Sequence, residues 1–254
     1  KEYRRQRQMC IRDSRQPVIE VIGERLAGSV WLMLSAWVIS GVLGVTLGVI
    51  SGAFRGRWAD RLIRGYCLLI SGTPAFWLAI LLLLIFSVWL GWLPVGLAVP
   101  VGMTADAVTF LDRVRHAILP VLTLSITGVA NIALHTREKM VDVLESDYVL
   151  FARARGESGL SIVMRHGLRN VVLPAITLQF ASVSEIIGGS VLVEQVFSYP
   201  GLGQAAVTAG LGSDLPLLLG ITVITSAIVF GGNLIADLLY GAVDPRIRKG
   251  AAKR

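Results

Sequence analysis

The stretch LAGSVWLMLSAWVISGVLGVTLGVISGAF, residues 26–54, contains no charged side chain. An α-helix rises about 1.5 Å per residue and the hydrocarbon core of a bilayer is about 30 Å thick, so about 20 apolar residues span it. This stretch exceeds that minimum. It therefore predicts a helix that crosses a membrane, and this prediction decides the class of fold.

The composition of the whole chain supports the same class. Of the 254 residues, 54% are hydrophobic and 16% are charged, whereas a typical soluble domain has about 25% charged residues. Such a chain cannot cover itself with polar surface, which excludes an ordinary soluble enzyme, and its hydrophobicity excludes disorder. Cys10 and Cys67 give neither a disulfide framework nor a metal-ligand spacing. We predict an all-α, polytopic membrane protein.

Five apolar spans and the charges between them predict an orientation. The spans cover residues 26–54, about 66–90, about 117–134, about 171–193 and about 215–236. Lys and Arg number four, two, six and none in the successive connections and five in the tail. Because cytoplasmic loops carry the excess of Lys and Arg, the first and third connections and the C-terminus are predicted to be cytoplasmic. The net charge of +7 has the same origin and does not indicate a nucleic-acid partner.

The N-terminal residues do not fit this orientation. Six Lys or Arg lie within residues 1–15, on the side predicted to be external. The run QMCIRDS, residues 8–14, resembles the translation of an adapter used in sequencing libraries. We therefore expect residues 1–14 to be a non-native adapter segment and residues 15–254 to be a transmembrane domain lacking an upstream helix, which would complete six spans. A genuine basic N-terminus is the alternative.

The connection of residues 136–170 is long and has its own character. Apolar residues recur in it at helical spacing, Gly156 is placed to end a short helix, and Ser158 or Ser161 is placed to cap the next. A helix–turn–helix of mixed charge on the cytoplasmic face is typical of a docking element for a protein partner. From the residues alone, an amphipathic helix lying on lipid headgroups is the alternative.

Several motifs occur together in one order along the chain. They are TPAFW (73–77), HAILP (116–120), DYVLFARARG (147–156), RHGLRNVVLP (165–174), EQVFSYPGLG (194–203) and DPRIR (244–248). Over about residues 20–248 the chain resembles the permease subunits of binding-protein-dependent ABC importers, in the peptide/nickel (dipeptide/oligopeptide) subfamily. The motifs at 147–156 and 165–174 resemble the EAA loop of that family. Leu150 and Phe151 depart from the general EAA pattern, which has Glu and Ala there.

The resemblance implies a type I ABC importer permease fold that forms half of a homodimeric or heterodimeric pore in a bacterial or archaeal plasma (inner) membrane. The implied partners are a second permease subunit, usually a paralogue, two cytoplasmic ABC ATPase subunits, an extracytoplasmic substrate-binding protein and the lipid bilayer. ATP and Mg would be bound by the ATPase subunits and no cofactor by this chain, which has no Walker-A pattern. The implied solute is a peptide or a related small molecule: a dipeptide, an oligopeptide, a nickel chelate or glutathione.

The family docks a short coupling helix into a groove of the ATPase. The residues carried over to that role are Asp147, Tyr148, Ala152, Arg153, Ala154, Arg155 and Gly156. We expect the small Ala152 and Ala154 to permit close approach of the partner, and Gly156 to allow the turn. Arg153 and Arg155 can meet acidic or carbonyl groups.

Glu185 is the clear charge inside a predicted span, where an ionisable group is costly unless it faces a cavity or a partner. With Ser182 and Ser184 nearby, it is interpreted as a carboxylate of the translocation pathway that meets a cationic part of the solute. A hydrogen-bonded glutamate at a packing interface is the alternative.

Two further features carry expectations. Tyr199, Pro200 and Gly201 form a predicted turn in an external loop, which in the family lies near the binding protein or plugs the pore mouth. A plain connecting loop is the alternative there. The glycines at positions 44, 48 and 52 form a small-residue ridge that predicts close helix packing, and a moving interface is the alternative.

Other functions are weaker fits to the sequence. No catalytic residue and no metal site is predicted, because the three histidines at 116, 135 and 166 are widely separated and hydrolase motifs are absent from the sequence. An ion-gradient-driven secondary transporter that uses Glu185 is the alternative function. It predicts broken helices at mid-membrane, and the sequence leads us to expect unbroken spans.

Overall fold

The computed structural model describes residues 17–100 and 108–243, and the regular structure in that part of the chain is helical. The predicted adapter segment 1–14 and the motif at 244–248 lie outside the described residues. The helices are α1 (Val18–Ala53), α2 (Trp58–Ser71), α3 (Ala75–Trp89), α4 (Phe110–Leu144), α5 (Asp147–Ala154), α6 (Gly159–Ala181), α7 (Val183–Val196), α8 (Leu202–Leu211) and α9 (Leu215–Val243). α3 ends with a π-helical stretch, Leu84–Trp89, and α6 contains a π-helical turn at Val163–Gly167.

The predicted membrane spans correspond to helices. Within the described residues, α1, α4 and α9 are long and apolar enough to cross a membrane. The number reaches five if the bent pairs α2–α3 and α6–α7 each count as one span, in agreement with the five predicted spans. Several helices extend beyond the predicted limits, so that Pro120 and Pro174 lie inside α4 and α6.

The expectation of unbroken spans is wrong at two places. The axes of α2 and α3 differ by 104°, and those of α6 and α7 by 46°. Gly72 caps the end of α2, and Pro74 disfavours the helical conformation of the residue before it, so the chain turns there. At the second break, the Ser182 hydroxyl donates to the Gln179 carbonyl at 2.8 Å.

The chain divides into two compact units. The first unit takes its described residues from Lys1–Ser35, Ala75–Thr123 and Ile187–Val229. Its apolar core joins the start of α1 to α8 and α9, with the buried members Ile22, Leu202, Ala205, Ala209, Leu217 and Ile221. The second unit takes its described residues from Ala36–Pro74, Leu124–Ile186 and Phe230–Arg254.

In the second unit, α1 and α4 are in close contact along a seam of small residues. A Cβ atom on Gly44 would lie 2.7 Å from the Cβ of Ile132, and one on Gly48 would lie 2.5 Å from the Cβ of Thr136. One turn further, a Cβ on Gly52 would lie 2.6 Å from the Cβ of Met140. These distances leave no room for a side chain, which confirms the predicted packing role of the three glycines. Because both sets of residues ascend in steps of four, the two helices run parallel.

Candidate functional site

The predicted helix–turn–helix is present in the connection of residues 136–170. α4 ends at Leu144, α5 begins at Asp147, and α6 begins at Gly159. Ser158 caps α6, because its hydroxyl accepts a hydrogen bond from the Ser161 N–H at 3.4 Å. Gly156 lies between α5 and α6 with φ +85°, a left-handed conformation that glycine adopts without steric cost.

One face of α5 is buried within the chain itself. Val149 and Ala152 are fully buried and cluster with Ile162 of α6, against Val143 and Leu144 at the end of α4. Ala152 therefore supports the loop from inside and offers no surface to a partner. This corrects the expectation that its small size permits close approach of another protein.

The opposite face of α5 is exposed and largely apolar. Tyr148, Leu150 and Phe151 are 46%, 54% and 71% exposed. The other residues predicted for coupling are exposed as well: Asp147, Arg153, Ala154, Arg155 and Gly156. Large apolar side chains beside cations are the composition of an interface rather than of a solvated loop. Leu150 and Phe151, which depart from the general EAA pattern, contribute much of this surface.

Polar contacts connect α5 and the turn that follows it to α6. The Nε2 atom of His166 lies 3.0 Å from a carboxylate oxygen of Glu157, and the Asn170 amide donates to the Tyr148 hydroxyl at 3.3 Å. The hydrogen bond with His166 is the main reason why the pKa of Glu157 is lowered from its ordinary value. The Glu157 carboxylate therefore stays ionised to a lower pH than an ordinary glutamate.

A buried ionic cluster, which sequence patterns did not reveal, joins α2 to α4 in the second unit. Asp60 is 1% exposed and accepts hydrogen bonds from Nε and Nη2 of Arg137 at 2.6 and 2.9 Å. It also accepts from the Ser51 hydroxyl at 2.7 Å and from the Gly56 N–H at 2.8 Å. The available signal is a single carboxylate, Asp60, among the four arginines of the first connection.

The residues predicted for the pathway do not form one surface. Glu185 is exposed near the start of α7 and accepts a hydrogen bond from the Asn131 amide of α4 at 3.1 Å. Ser182 is buried at the break between α6 and α7. Ser184 is exposed and donates to the Ala181 carbonyl at 3.4 Å. Ser182 therefore satisfies the backbone at a bend instead of facing the same space as Glu185.

The predicted external turn is anchored by a buried carboxylate. Glu194 is fully buried; it accepts from the Ser29 hydroxyl at 2.7 Å and from the Gln204 N–H at the start of α8 at 3.1 Å. A side chain on Gly201 would collide with both Glu194 and Ser29, so this position requires glycine.

The turn residues themselves face inward. Tyr199 is 5% exposed, and this burial raises the pKa of its hydroxyl. Gly201 is also buried and Pro200 is half-buried. These three residues hold the loop against the chain and present little side-chain surface to another molecule.

Comparison with known proteins assigns the family. Residues 44–249 match the family of binding-protein-dependent transport system inner membrane components. The chain is 38% identical over 231 residues to the oligopeptide transport system permease protein AppB of Bacillus subtilis (strain 168), covering 91% of this chain and 72% of AppB. It is 38% identical over 237 residues to the glutathione transport system permease protein GsiC of Escherichia coli (strain K12), covering 92% and 72%. This chain therefore belongs to the family of binding-protein-dependent transport system inner membrane components.

A solved structure supports the fold. The MetNI methionine ABC transporter, in inward-facing conformations, contains a chain that matches this one with a TM-score of 0.62 at 15% identity, covering 88% of this chain and 98% of that one. This similarity shows the fold of an ABC importer permease. The family match and the relatives named as oligopeptide and glutathione permeases make the chain a multi-pass membrane protein and the permease subunit of an ATP-driven importer. The relatives are named as transport permease subunits, and membership of this family implies ATPase and substrate-binding partners.

Proposed function

We propose that this chain forms one half of the translocation pore of an importer for peptides or a related small solute. The relatives named as oligopeptide and glutathione permeases support this class of solute, and dipeptides, oligopeptides, nickel chelates and glutathione are the candidates. The second half is a further permease subunit, usually a paralogue. Two ATPase subunits and an extracytoplasmic binding protein complete the assembly.

The observation that carries the proposal is the two-sided character of α5. Its inner face is fixed by Val149 and Ala152. On the outer face, Leu150 and Phe151 are 54% and 71% exposed, and Tyr148, which contacts Asn170, is still 46% exposed. We assign this outer face to the groove of an ATPase subunit, which binds ATP and Mg, whereas this chain binds no cofactor. The excess of Lys and Arg in the connection and in the C-terminal tail supports a cytoplasmic position for α5 and the C-terminus.

Reversing the charge of Arg153 tests this assignment. In Arg153→Glu, an exposed cation at the end of α5 becomes an anion, so we expect less ATPase to co-purify with the permease pair and less ATP hydrolysis to be linked to uptake. Arg153→Lys keeps the charge and is the matched control. Full co-purification and full uptake by Arg153→Glu would remove Arg153 from the docking surface.

The solute class is tested by uptake. A strain lacking its own peptide permeases, and carrying this chain with its partner subunits, should take up a labelled dipeptide or glutathione only when the binding protein is present. Uptake of nickel chelates alone would show that the solute is a nickel chelate and not a peptide. Failure of every candidate to enter, in cells with the assembled complex, would reject the solute class.

Glu185 is proposed as a carboxylate of the pathway that receives the amino group of a peptide. Glu185→Gln keeps the size and can still accept from Asn131, so folding should be unchanged. Because a hydrogen bond to a charged group contributes about 1.5–3 kcal/mol, we expect KM for peptides with a free amino group to rise about 10-fold or more. KM for N-acetylated peptides, measured in the same proteoliposomes, should not change. Equal KM values for the parent and for Glu185→Gln with the free peptide would leave Glu185 a packing residue.

A further inference from the structure

Asp60 is held from three parts of the second unit at once. Its donors are Ser51 at the end of α1, Gly56 in the turn between α1 and α2, and Arg137 near the end of α4. An ionised carboxylate has about four lone-pair sites, and among the described residues Asp60 accepts four hydrogen bonds. Its position is therefore fixed by all three segments, and each segment is fixed by it.

The cost of burial makes this pair difficult to separate. The side chain of Arg137 is 15% exposed and that of Asp60 is 2% exposed. Two charges taken out of water are tolerated when they are paired with good geometry, and separating them leaves each charge without compensation. The bidentate contact also fixes the orientation of the guanidinium plane. The α1–α2 turn and the end of α4 are thus linked rigidly.

The end of α4 is in turn linked to α5. Val143 and Leu144 pack on the buried face of α5. Met140, fully buried one turn earlier, contacts both Gly52 of α1 and Gly167 of α6. A continuous chain of buried contacts therefore runs from the inner face of α5, through α4, to Asp60.

We propose that the Asp60–Arg137 pair is the rigid link between the end of α4 and the α1–α2 turn. When an ATPase displaces α5, the turn, the end of α4 and α5 then move together. Asp60 is then a positioning residue for transport, which neither touches the solute nor the ATPase. The proposal rests on the docking role assigned to α5 above.

The pair is tested by removing both charges together. Asp60→Asn with Arg137→Gln leaves no unpaired buried charge, so the permease should assemble with its ATPase and binding protein. In proteoliposomes we expect the solute transported per ATP hydrolysed to fall about tenfold, a typical size for a lost coupling between two sites. A purely structural pair would lower the amount of complex and leave this ratio unchanged, and an unchanged ratio would overturn the proposal.

A second ion pair supplies the matched control. Arg55 and Glu145 join the same turn to the end of α4, but their side chains are 53% and 65% exposed. Because exposed pairs contribute little, Arg55→Gln with Glu145→Gln should keep the ratio within about twofold. If the solute transported per ATP hydrolysed fell equally in both double variants, the exposed pair would matter as much as the buried one. That result would overturn the special role of Asp60.

If the double variant does not assemble, a cross-linking measurement tests whether the α1–α2 turn and the end of α4 move together. Arg55→Cys and Glu145→Cys are introduced into a chain that keeps Asp60 and Arg137, and a bis-methanethiosulfonate reagent joins the two exposed thiols. Cys10→Ser removes one competing thiol, and Cys67 is fully buried. If the segments move as one piece, cross-linked complexes should transport as well as reduced ones. Loss of transport that dithiothreitol restores would show relative motion and overturn the proposal. If Arg153→Glu and Phe151→Asp bind the ATPase as well as the parent does, the docking role of α5 fails, and that failure is measured separately from a failure of the Asp60–Arg137 pair.

Discussion

Replacing Phe151 by aspartate is expected to abolish ATP-dependent uptake while leaving the amount of folded permease unchanged. Phe151 is 71% exposed, so its ring contributes little to the packing of this chain. Central aromatic residues of protein interfaces contribute about 2–4 kcal/mol to binding, which corresponds to about 30- to 1,000-fold in affinity. The measurement is binding of the purified ATPase to the permease pair in nanodiscs, together with uptake in proteoliposomes.

The control for this variant keeps the ring. Phe151→Tyr preserves the apolar area and should bind the ATPase with nearly the parent affinity. If Phe151→Asp binds equally well, the exposed face of α5 does not enter the ATPase groove. The alternative of an amphipathic helix on lipid headgroups would then account for the exposed ring, and binding of the detergent-solubilised chain to anionic vesicles would measure it.

A methyl group at Gly48 is expected to destabilise the protein, although alanine is the better helix former. A Cβ there would lie 2.5 Å from the Cβ of Thr136 and 2.7 Å from the Ala133 carbonyl oxygen. Overpacking of this kind costs about 1–3 kcal/mol, which exceeds the gain of about 0.4–1 kcal/mol expected from replacing a helical glycine. The apparent Tm of Gly48→Ala in detergent, taken at one scan rate, should therefore fall.

The matched control lies on the same helix. Gly23 of α1 has no atom within 4 Å of the place where a Cβ would stand, so Gly23→Ala should keep or raise the apparent Tm. Opposite signs for the two variants are the expected result. A fall of the same size at both positions would mean that the cost comes from the helix itself and not from the seam with α4.

The five spans could be predicted from composition, because a bilayer imposes a minimum length on any apolar helix. The break at Gly72 and Pro74 has a cause that is visible in the sequence. The break at Ser182 has none, since serines donate to their own helix in many straight helices as well.

The site was predictable in part. The resemblance to the EAA loop assigned Tyr148 and most of its neighbours to the docking helix, but Leu150 and Phe151 were noted only as departures from its pattern, although they are 54% and 71% exposed. The inward orientation of Ala152 depends on its contact with Ile162. Asp60 and Arg137 are 77 positions apart, and no periodicity in the sequence relates residues at that distance. Such contacts become visible only when the helices are packed.

The seam between α1 and α4 has a property that its close fit conceals. A pattern that repeats every four residues matches itself after translation by one period, about 6 Å along a helix. If α4 were displaced by one period along α1, Ile132 would lie against Gly48 and Thr136 against Gly52. Each side chain would again face a glycine, as Ile132 now faces Gly44 and Thr136 faces Gly48. The glycines thus determine how near the two helices lie but are almost indifferent to where one stands along the other. Asp60 supplies a contact that does not repeat, because its carboxylate accepts from Ser51 of one helix and from Arg137 of the other, and this contact favours the observed register.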